Sequence, residues 1–119
     1  MKFTLRPAEP GDLSAIRELL QRAFRVSADA PFLNPALMQW KYWEAREDWT
    51  EPRAYILERD GAIAAHAGIM PVSFGGGTIR GVQMIDWASA QDSPGAGLSL
   101  VQQLAARFDF IYSIGGGEM

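Results

Sequence analysis

The sequence contains no cysteine and only one histidine, His66. Without thiols a disulfide framework is excluded, and without a second histidine or a cysteine we expect no metal site. The N-terminus, MKFTLRPAEPGD, lacks the apolar core of a secretion signal, and no run approaches the roughly 18 apolar residues of a membrane span. These absences favour a cytoplasmic protein that binds neither a metal nor a membrane.

Positive charge is also scarce, because 11 basic side chains stand against 14 acidic ones and the net charge is −3. A nucleic-acid-binding surface needs a basic patch, and the sequence shows none, so we expect no nucleic-acid partner. Charge of either sign is rare after residue 60, where only six charged side chains occur. Two explanations stay open: helices bury the strands of this half, or an absent segment or a second subunit covers it.

The first half of the chain predicts one strand and two helices. With 119 residues, 48% of them hydrophobic, the chain 1–119 is expected to fold as a single domain. Alternation over Lys2–Arg6 predicts a strand that Pro7 ends, and Asp12 is the expected N-cap of a helix that continues to Phe24. Asn34 is the expected cap of a second helix. The aromatic residues of this helix are expected in the core rather than in the wall of a substrate pocket; they are Trp40, Tyr42 and Trp43.

The middle of the chain predicts a meander of three strands. Arg53–Glu58 and Ala62–Phe74 alternate around Asp60-Gly61, which is a strong hairpin signal. Pro71 lies inside the second of these strands and predicts a bulge or an unpaired position there. After a triple glycine, Thr78–Ser89 predicts the third strand.

The last part of the chain predicts a helix and a strand that completes a right-handed crossover, parallel to the preceding strand. Phe110–Ile114 is short and apolar, which is typical of a strand buried within a sheet. The residues expected on the buried helix face are Leu98, Val101, Leu104, Ala105 and Phe108. The element order β-α-α-β-β-β-α-β predicts an α+β fold with a mixed, mainly antiparallel sheet flanked by helices.

The loop before this helix contains Gly95-Ala96-Gly97. The first turn of a helix presents unpaired N–H groups and partial positive charge, and glycines let an anion approach the backbone closely. The loop therefore suits a phosphate group, although a plain turn has the same residues. It lacks the Lys-Ser/Thr pair of a Walker loop and the full glycine pattern of a dinucleotide fold.

Three segments together resemble the GNAT-type N-acetyltransferases. FTLRPAEPGDLSAIRELL is similar to the family's opening strand and helix, and RAYILERDGAIAAHAGIMPVSF to its second and third strands. IDWASAQDSPGAGLSLVQQL is similar to its fourth strand and coenzyme A loop, which reads Arg/Gln-x-x-Gly-x-Gly/Ala. Gly95 and Gly97 match this pattern, whereas Asp92 stands at the Arg/Gln position. The resemblance implies a three-layer fold.

The resemblance also implies a cosubstrate, acetyl-CoA, and a place for it. In such enzymes the fourth and fifth strands splay apart and the pantetheine arm pairs with the fourth strand, here Trp87, Ala88 and Ser89. The expected diphosphate site comprises Ser93, Gly95, Ala96, Gly97 and Leu98. The implied reaction is acetyl transfer to a primary amine of a small molecule or peptide by direct attack of that amine.

The resemblance further implies that the domain is incomplete, because the family's C-terminal helix, with its general-acid tyrosine, and the strands after it are missing. An alternative is therefore a non-catalytic or truncated domain that binds CoA or a protein partner. An apolar last strand with a bare edge predicts a homo-oligomer that associates through this edge.

Two residues are candidates for the chemistry. Asp86 is an acid inside a strand, between Ile85 and Trp87, and the family often has an acidic residue near this point; it is the candidate base. His66 is the candidate for a substrate-side role. For each of them the alternative is a buried structural group with satisfied hydrogen bonds.

Overall fold

The computed structural model describes residues 3–113 as one five-stranded sheet with three helices. The strands are β1 (Thr4–Pro7), β2 (Ala54–Arg59), β3 (Ala62–Phe74), β4 (Ile79–Ser89) and β5 (Phe110–Tyr112). The helices are α1 (Leu13–Phe24), α2 (Pro35–Tyr42) and α3 (Ala96–Ala105). None of the helices in this range is long and apolar enough to cross a membrane.

The sheet order is β1-β2-β3-β4-β5, so every strand lies beside its neighbour in the sequence. The first four strands pair antiparallel, and β4 pairs with β5 in parallel. The helix α3 makes the crossover between these last two strands. The predicted element order and the predicted parallel last pair are both confirmed.

The helices cover the two faces of the sheet and form two separate cores. Alternation in β2 divides its side chains between these cores: Ala54 and Ile56 pack with α1 and α2, while Tyr55 and Leu57 pack with α3. Ile16 and Leu20 anchor α1, and Leu100 and Leu104 anchor α3. The fold is therefore three-layered, with the sheet in the middle.

Two predictions near the C-terminus are wrong in part. Leu98 and Ala105 were expected on the buried face of α3, but both are exposed, Leu98 by 62%, because the buried row is Ala96, Leu100 and Leu104, spaced four residues apart. Strand β5 is half-buried, since it lies at the sheet edge in the part of the chain that the structure describes. Ile114, its expected last residue, lies outside the described residues, as does Lys2 of the predicted first strand.

No bulge is found at Pro71, but the other expectation, an unpaired position, holds on one side of the strand, because β2 pairs with β3 only as far as Gly68. Pro71 lies opposite Val82 without a register shift. A proline lacks only the N–H and keeps an extended φ, so it disturbs a ladder less than an inserted residue does. The register shift between β3 and β4 falls instead between His66 and Gly68, at the level of Asp86.

Asp12 has a different role from the predicted one. It precedes α1 as expected, but its side chain does not cap that helix. It accepts the Glu9 N–H at 2.8 Å and two hydrogen bonds from the Arg6 guanidinium at 2.8 and 2.9 Å. Arg6 also donates to Glu58 at 2.7 Å, so one network joins β1, the turn before α1 and β2. The Arg6 hydrogen bonds are the main reason that the pKa of Asp12 is lowered.

We expect Asp12→Asn to lower the free energy of unfolding by about 1–2 kcal/mol at pH 7, since it weakens a partly buried, bidentate ion pair. Because the folded-state pKa of Asp12 is lowered, its stabilisation is complete above the unfolded pKa of about 3.9 and is lost as pH falls through the folded value. Urea unfolding at pH 7, 4 and 2 should show that the difference in unfolding free energy between the unaltered protein and Asp12→Asn becomes smaller as the pH falls. The control is Asp29→Asn, in an exposed loop, and a pH-independent difference would contradict the assignment.

Candidate active site

Strand β4 pairs with β5 over a short contact within residues 3–113. Parallel pairing joins Gly81 to Phe110 and ends with Gln83 opposite Tyr112. From Met84 to Ser89 the edge of β4 that faces away from β3 has no strand partner within residues 3–113. An unpaired strand edge offers backbone N–H and C=O groups to an extended ligand. This open edge includes the predicted pantetheine residues Trp87, Ala88 and Ser89.

A β-bulge lies within this open edge. His66 pairs with Ala88, and Gly68 pairs with Ile85, so two residues of β4, Asp86 and Trp87, lie opposite Ala67 alone. Asp86 has a φ of 51°, which costs a non-glycine residue roughly 1–2 kcal/mol. Such bulges re-aim side chains and often lie beside functional sites.

The Asp86 side chain is held by the last turn of α2. Its Oδ2 accepts a hydrogen bond from Lys41 Nζ at 2.7 Å and another from the Tyr42 hydroxyl. The Lys41 and Asp86 side chains are each only 11% exposed. Burial, and then the charge of Asp86, raise the pKa of Tyr42, so its hydroxyl stays protonated and remains a donor. Within the described residues, no hydrogen-bond partner is found for Oδ1 of Asp86.

The main chain of Asp86 is held by His66. This histidine is fully buried, and its Nδ1 lies 2.9 Å from the Asp86 carbonyl oxygen. A carbonyl can only accept, so Nδ1 carries the proton, and Nε2 is an acceptor without a partner in the described part of the chain. Burial lowers the pKa of His66 to about 4, so the ring is neutral at pH 7. Asp86 is therefore fixed at both its side chain and its carbonyl.

Gly68 gives Tyr42 the room to reach Asp86. A Cβ on Gly68 would lie 2.6 Å from Tyr42 Cε1 and 3.0 Å from Ile85 Cγ1. The Tyr42 ring, which also packs edge-on against His66 at 5.3 Å, therefore needs a glycine beneath it.

The loop after β4 brings the N-terminus of α3 against the open edge. Gly95 is the N-cap with a φ of 83°, and no side chain caps this helix end. The Ala96 N–H donates to the Ser93 carbonyl at 3.1 Å, whereas the amides of Gly97 and Leu98 fall in the first turn, where the helix supplies no acceptor. A Cβ on Gly95 would meet no atom within 4 Å, so the space beside it is open.

Gly97 connects this helix end to β4. A Cβ on Gly97 would lie 3.6 Å from Ser89 and from Trp87 Nε1, which is ordinary contact distance. The Trp87 Nε1 donor is buried and has no acceptor among residues 3–113. The predicted pantetheine and diphosphate residues thus form one continuous surface. Of these, Ala88, Ser93 and Ala96 are buried, with 8%, 3% and 0% of each residue exposed, so Ser93 and Ala96 contribute almost nothing to this surface.

A cavity of about 550 Å³ adjoins Asp86 on the α2 side; we call it the α2 pocket. It is defined by Trp40, Glu44, Arg46, Arg53, Met70 and Ile85. Asp86 is not among the lining residues, but its ion-pair partner Lys41 and the preceding residue Ile85 are. Within residues 3–113, no group of three or more His, Cys, Asp or Glu side chains is placed to hold a metal ion.

Sequence reasoning missed Lys41, Arg53 and Arg59. An acid inside a strand requires a partner, which was a signal to look for a cation, but Lys41 lies 45 residues away from Asp86. Arg59, on the β2–β3 hairpin, approaches the Asp92 carbonyl at 3.4 Å and brings positive charge to the loop in which Asp92 replaces the family's Arg or Gln.

We expect Gly68→Ala to lower the free energy of unfolding by about 1–3 kcal/mol, because its methyl group must displace the Tyr42 ring. Gly11→Ala is the matched control, since a Cβ there meets nothing within 4 Å. Urea unfolding of both variants makes the comparison. Equal stabilities would show that Tyr42 does not need this space.

No protein-family model and no curated protein matches the sequence. Solved structures do match. An aminoglycoside acetyltransferase from an uncultured soil sample has a TM-score of 0.68 and 16% identity, covering 100% of this chain and 83% of that one. The ribosomal-protein-alanine N-acetyltransferase of Brucella melitensis biovar Abortus 2308 has a TM-score of 0.66 and 13% identity, covering 96% and 80%.

A GNAT family acetyltransferase from Brucella melitensis, solved in complex with acetyl-CoA, has a TM-score of 0.60 and 22% identity, covering 89% of this chain and 68% of that one. At these identities the likeness carries the architecture and not the activity. The chain therefore has the fold of the GNAT-type N-acetyltransferases.

Proposed function

We propose that the protein transfers an acetyl group from acetyl-CoA to a primary amine by direct attack. The observation that carries this proposal is the open edge of β4, which bears a bulge at Asp86 and runs into the uncapped N-terminus of α3. An edge for an extended arm and a helix end for a diphosphate lie next to each other in the order that acetyl-CoA requires. The neighbours named as acetyltransferases support the same reading.

The cosubstrate would bind mainly through backbone groups. The pantetheine arm pairs with the edge of β4 at Trp87, Ala88 and Ser89. The diphosphate lies on the amides of Gly97 and Leu98, because the Ala96 amide is already engaged by Ser93. The open space at Gly95 admits the diphosphate to this helix end.

Asp86 acts as the base in this proposal. Its Oδ2 is engaged by Lys41 and Tyr42, which fixes the carboxylate and leaves Oδ1 to receive a proton. The amine nitrogen bonds to the thioester carbonyl carbon, the C–S bond breaks, the amine proton passes to Asp86, and the sulfur leaves as the thiolate. A backbone N–H at the bulge polarises the carbonyl, and His66 contributes by holding the bulge rather than by touching the substrate.

The acceptor class is a small-molecule or peptide amine. One neighbour is named for aminoglycosides and another for a ribosomal-protein alanine, so this fold serves both kinds of acceptor in other proteins. A cytoplasmic location and self-association through the edge of β5 stay predictions of the sequence.

We expect Gly95→Glu to weaken acetyl-CoA binding at least tenfold, because its carboxylate would project into the space assigned to the diphosphate. Calorimetric titration measures the dissociation constants. Gly95→Ala is the matched control, since it has the same backbone strain at φ 83° without the charge. Equal dissociation constants for the two variants would refute the diphosphate assignment.

We expect Asp86→Asn to lower kcat by roughly 10²- to 10⁴-fold with the acetyl-CoA dissociation constant changed less than twofold, since an amide cannot accept the amine proton. Release of free CoA thiol from acetyl-CoA with an amine acceptor measures kcat, and Asp29→Asn is the control. An unchanged kcat would remove Asp86 from the chemistry. Tight binding of acetyl-CoA without turnover by the unaltered protein would favour the non-catalytic alternative.

A further inference from the structure

Arg53 is a buried cation in the wall of the α2 pocket. Its residue is only 7% exposed, and the one hydrogen bond found for it within residues 3–113 runs to the Glu44 main-chain carbonyl. A guanidinium has five N–H donors, so most of its hydrogen-bonding capacity is unused. No carboxylate of the described residues lies within ion-pair distance of it. A buried charge without a counter-ion is costly unless a ligand supplies one.

The other two cations of the pocket are neutralised. Lys41 pairs with Asp86 at 2.7 Å, and Arg46 pairs with Asp48 at 2.6 Å. Burial, and then repulsion by Arg46, lower the pKa of Arg53, whereas the more distant charges of Asp48 and Glu44 oppose this shift. Glu44 is exposed at the pocket and makes no ion pair with Arg53 within the described part of the chain. Arg53 is thus the cation whose charge an incoming anion can satisfy.

One part of the pocket wall is apolar and open to a side chain. Trp40 is 57% exposed and Met70 is 42% exposed, which is unusual for such large residues beside a cavity. Ile69 and Pro71 also line the pocket. An aromatic or aliphatic group would gain contact area here.

The Arg53 backbone lies two strand spacings away from β4, the strand that carries Asp86. The Arg53 carbonyl accepts from the Ile69 N–H at 2.8 Å, and Ile69 pairs with Met84, next to Ile85. Two strand spacings therefore separate the Arg53 backbone from β4, roughly 10 Å. The long Arg53 side chain and a small acceptor together cover such a distance.

We propose that the α2 pocket binds the acceptor through a carboxylate that pairs with Arg53, so that the acceptor is an amino acid or a similar amino-carboxylate with an apolar side chain. This inference rests on the proposed acetyl transfer at Asp86. Arg53 binds and orients the substrate, while the amine is directed toward Asp86.

The test compares amines that differ only in the carboxylate. Phenylalanine with phenethylamine, leucine with isoamylamine and tryptophan with tryptamine form three such pairs, each assayed with acetyl-CoA by thiol release. We expect kcat/KM to be at least tenfold higher for the carboxylate member of the preferred pair. In Arg53→Gln this ratio should fall to about one, and in Arg53→Lys, which keeps the charge but not the fork, it should be intermediate.

A binding measurement without acetyl-CoA makes the test independent of turnover. Trp40 lies in the pocket wall, so tryptophan fluorescence should change on titration with phenylalanine or leucine and not with their decarboxylated partners; Trp40→Phe should remove the change. Should Arg53→Gln fail to fold, Met70→Glu introduces a repelling carboxylate at an exposed pocket position, and Met70→Gln is its neutral control. Met70→Glu should weaken the binding of phenylalanine or leucine at least fivefold more than Met70→Gln does.

The outcomes separate the two proposals. Acetylation of amines with a ratio near one in the unaltered protein would overturn the Arg53 assignment and leave the acetyl transfer standing. Arg53-dependent binding of carboxylates without acetylation of any amine would overturn the transfer and retain the carboxylate site. A fluorescence response that is equal for both members of each pair would also overturn the Arg53 assignment.

Discussion

The hydrogen bonds that hold Asp86 are the constraint on which the site depends. A carboxylate inside a sheet that lacked partners would cost several kcal/mol, yet Asp86 is only 11% exposed. The last turn of α2 supplies both donors to the carboxylate, Lys41 and Tyr42, and His66 of β3 donates to the Asp86 main-chain carbonyl. The bulge, the docking of an eight-residue helix and the orientation of the carboxylate therefore stabilise one another.

A glycine on β3 makes this arrangement sterically feasible. Gly68 lies two residues after His66, at the point where Tyr42 touches the strand. A larger residue at Gly68 would push the Tyr42 ring, and with it the last turn of α2, away from β4, whereas Ala65 and Ala67 pack with α3 on the other side of the sheet. Gly68 thus gives up side-chain contact area at this point of the sheet, and the polar contact of Tyr42 with Asp86 takes its place.

Local pattern was sufficient to predict the element order, the meander, the crossover and the Asn34 cap, whose side chain accepts from the Leu37 N–H. It also identified Asp86 as an unusual residue and the glycine loop as a helix entry. It did not predict the position of the bulge, because proline was the stronger local signal, whereas the bulge depends on how β3 and β4 pair. The roles of Lys41 and Arg53 were missed for the same reason. Whether a cation has a carboxylate beside it depends on contacts between distant segments, which periodicity does not encode.

Lys41 and Arg53 line the same pocket but differ in what neutralises them. Lys41 pairs with the Asp86 carboxylate at 2.7 Å, so it fixes Asp86 and its positive charge is already neutralised. Arg53 has only a main-chain carbonyl, which satisfies one donor and does not cancel the charge. A site that must both hold a base still and recruit a charged substrate needs these two conditions in separate residues, because one cation in both roles would release the base whenever the substrate bound. In the proposed site the two cations that line one cavity, Lys41 and Arg53, divide these roles.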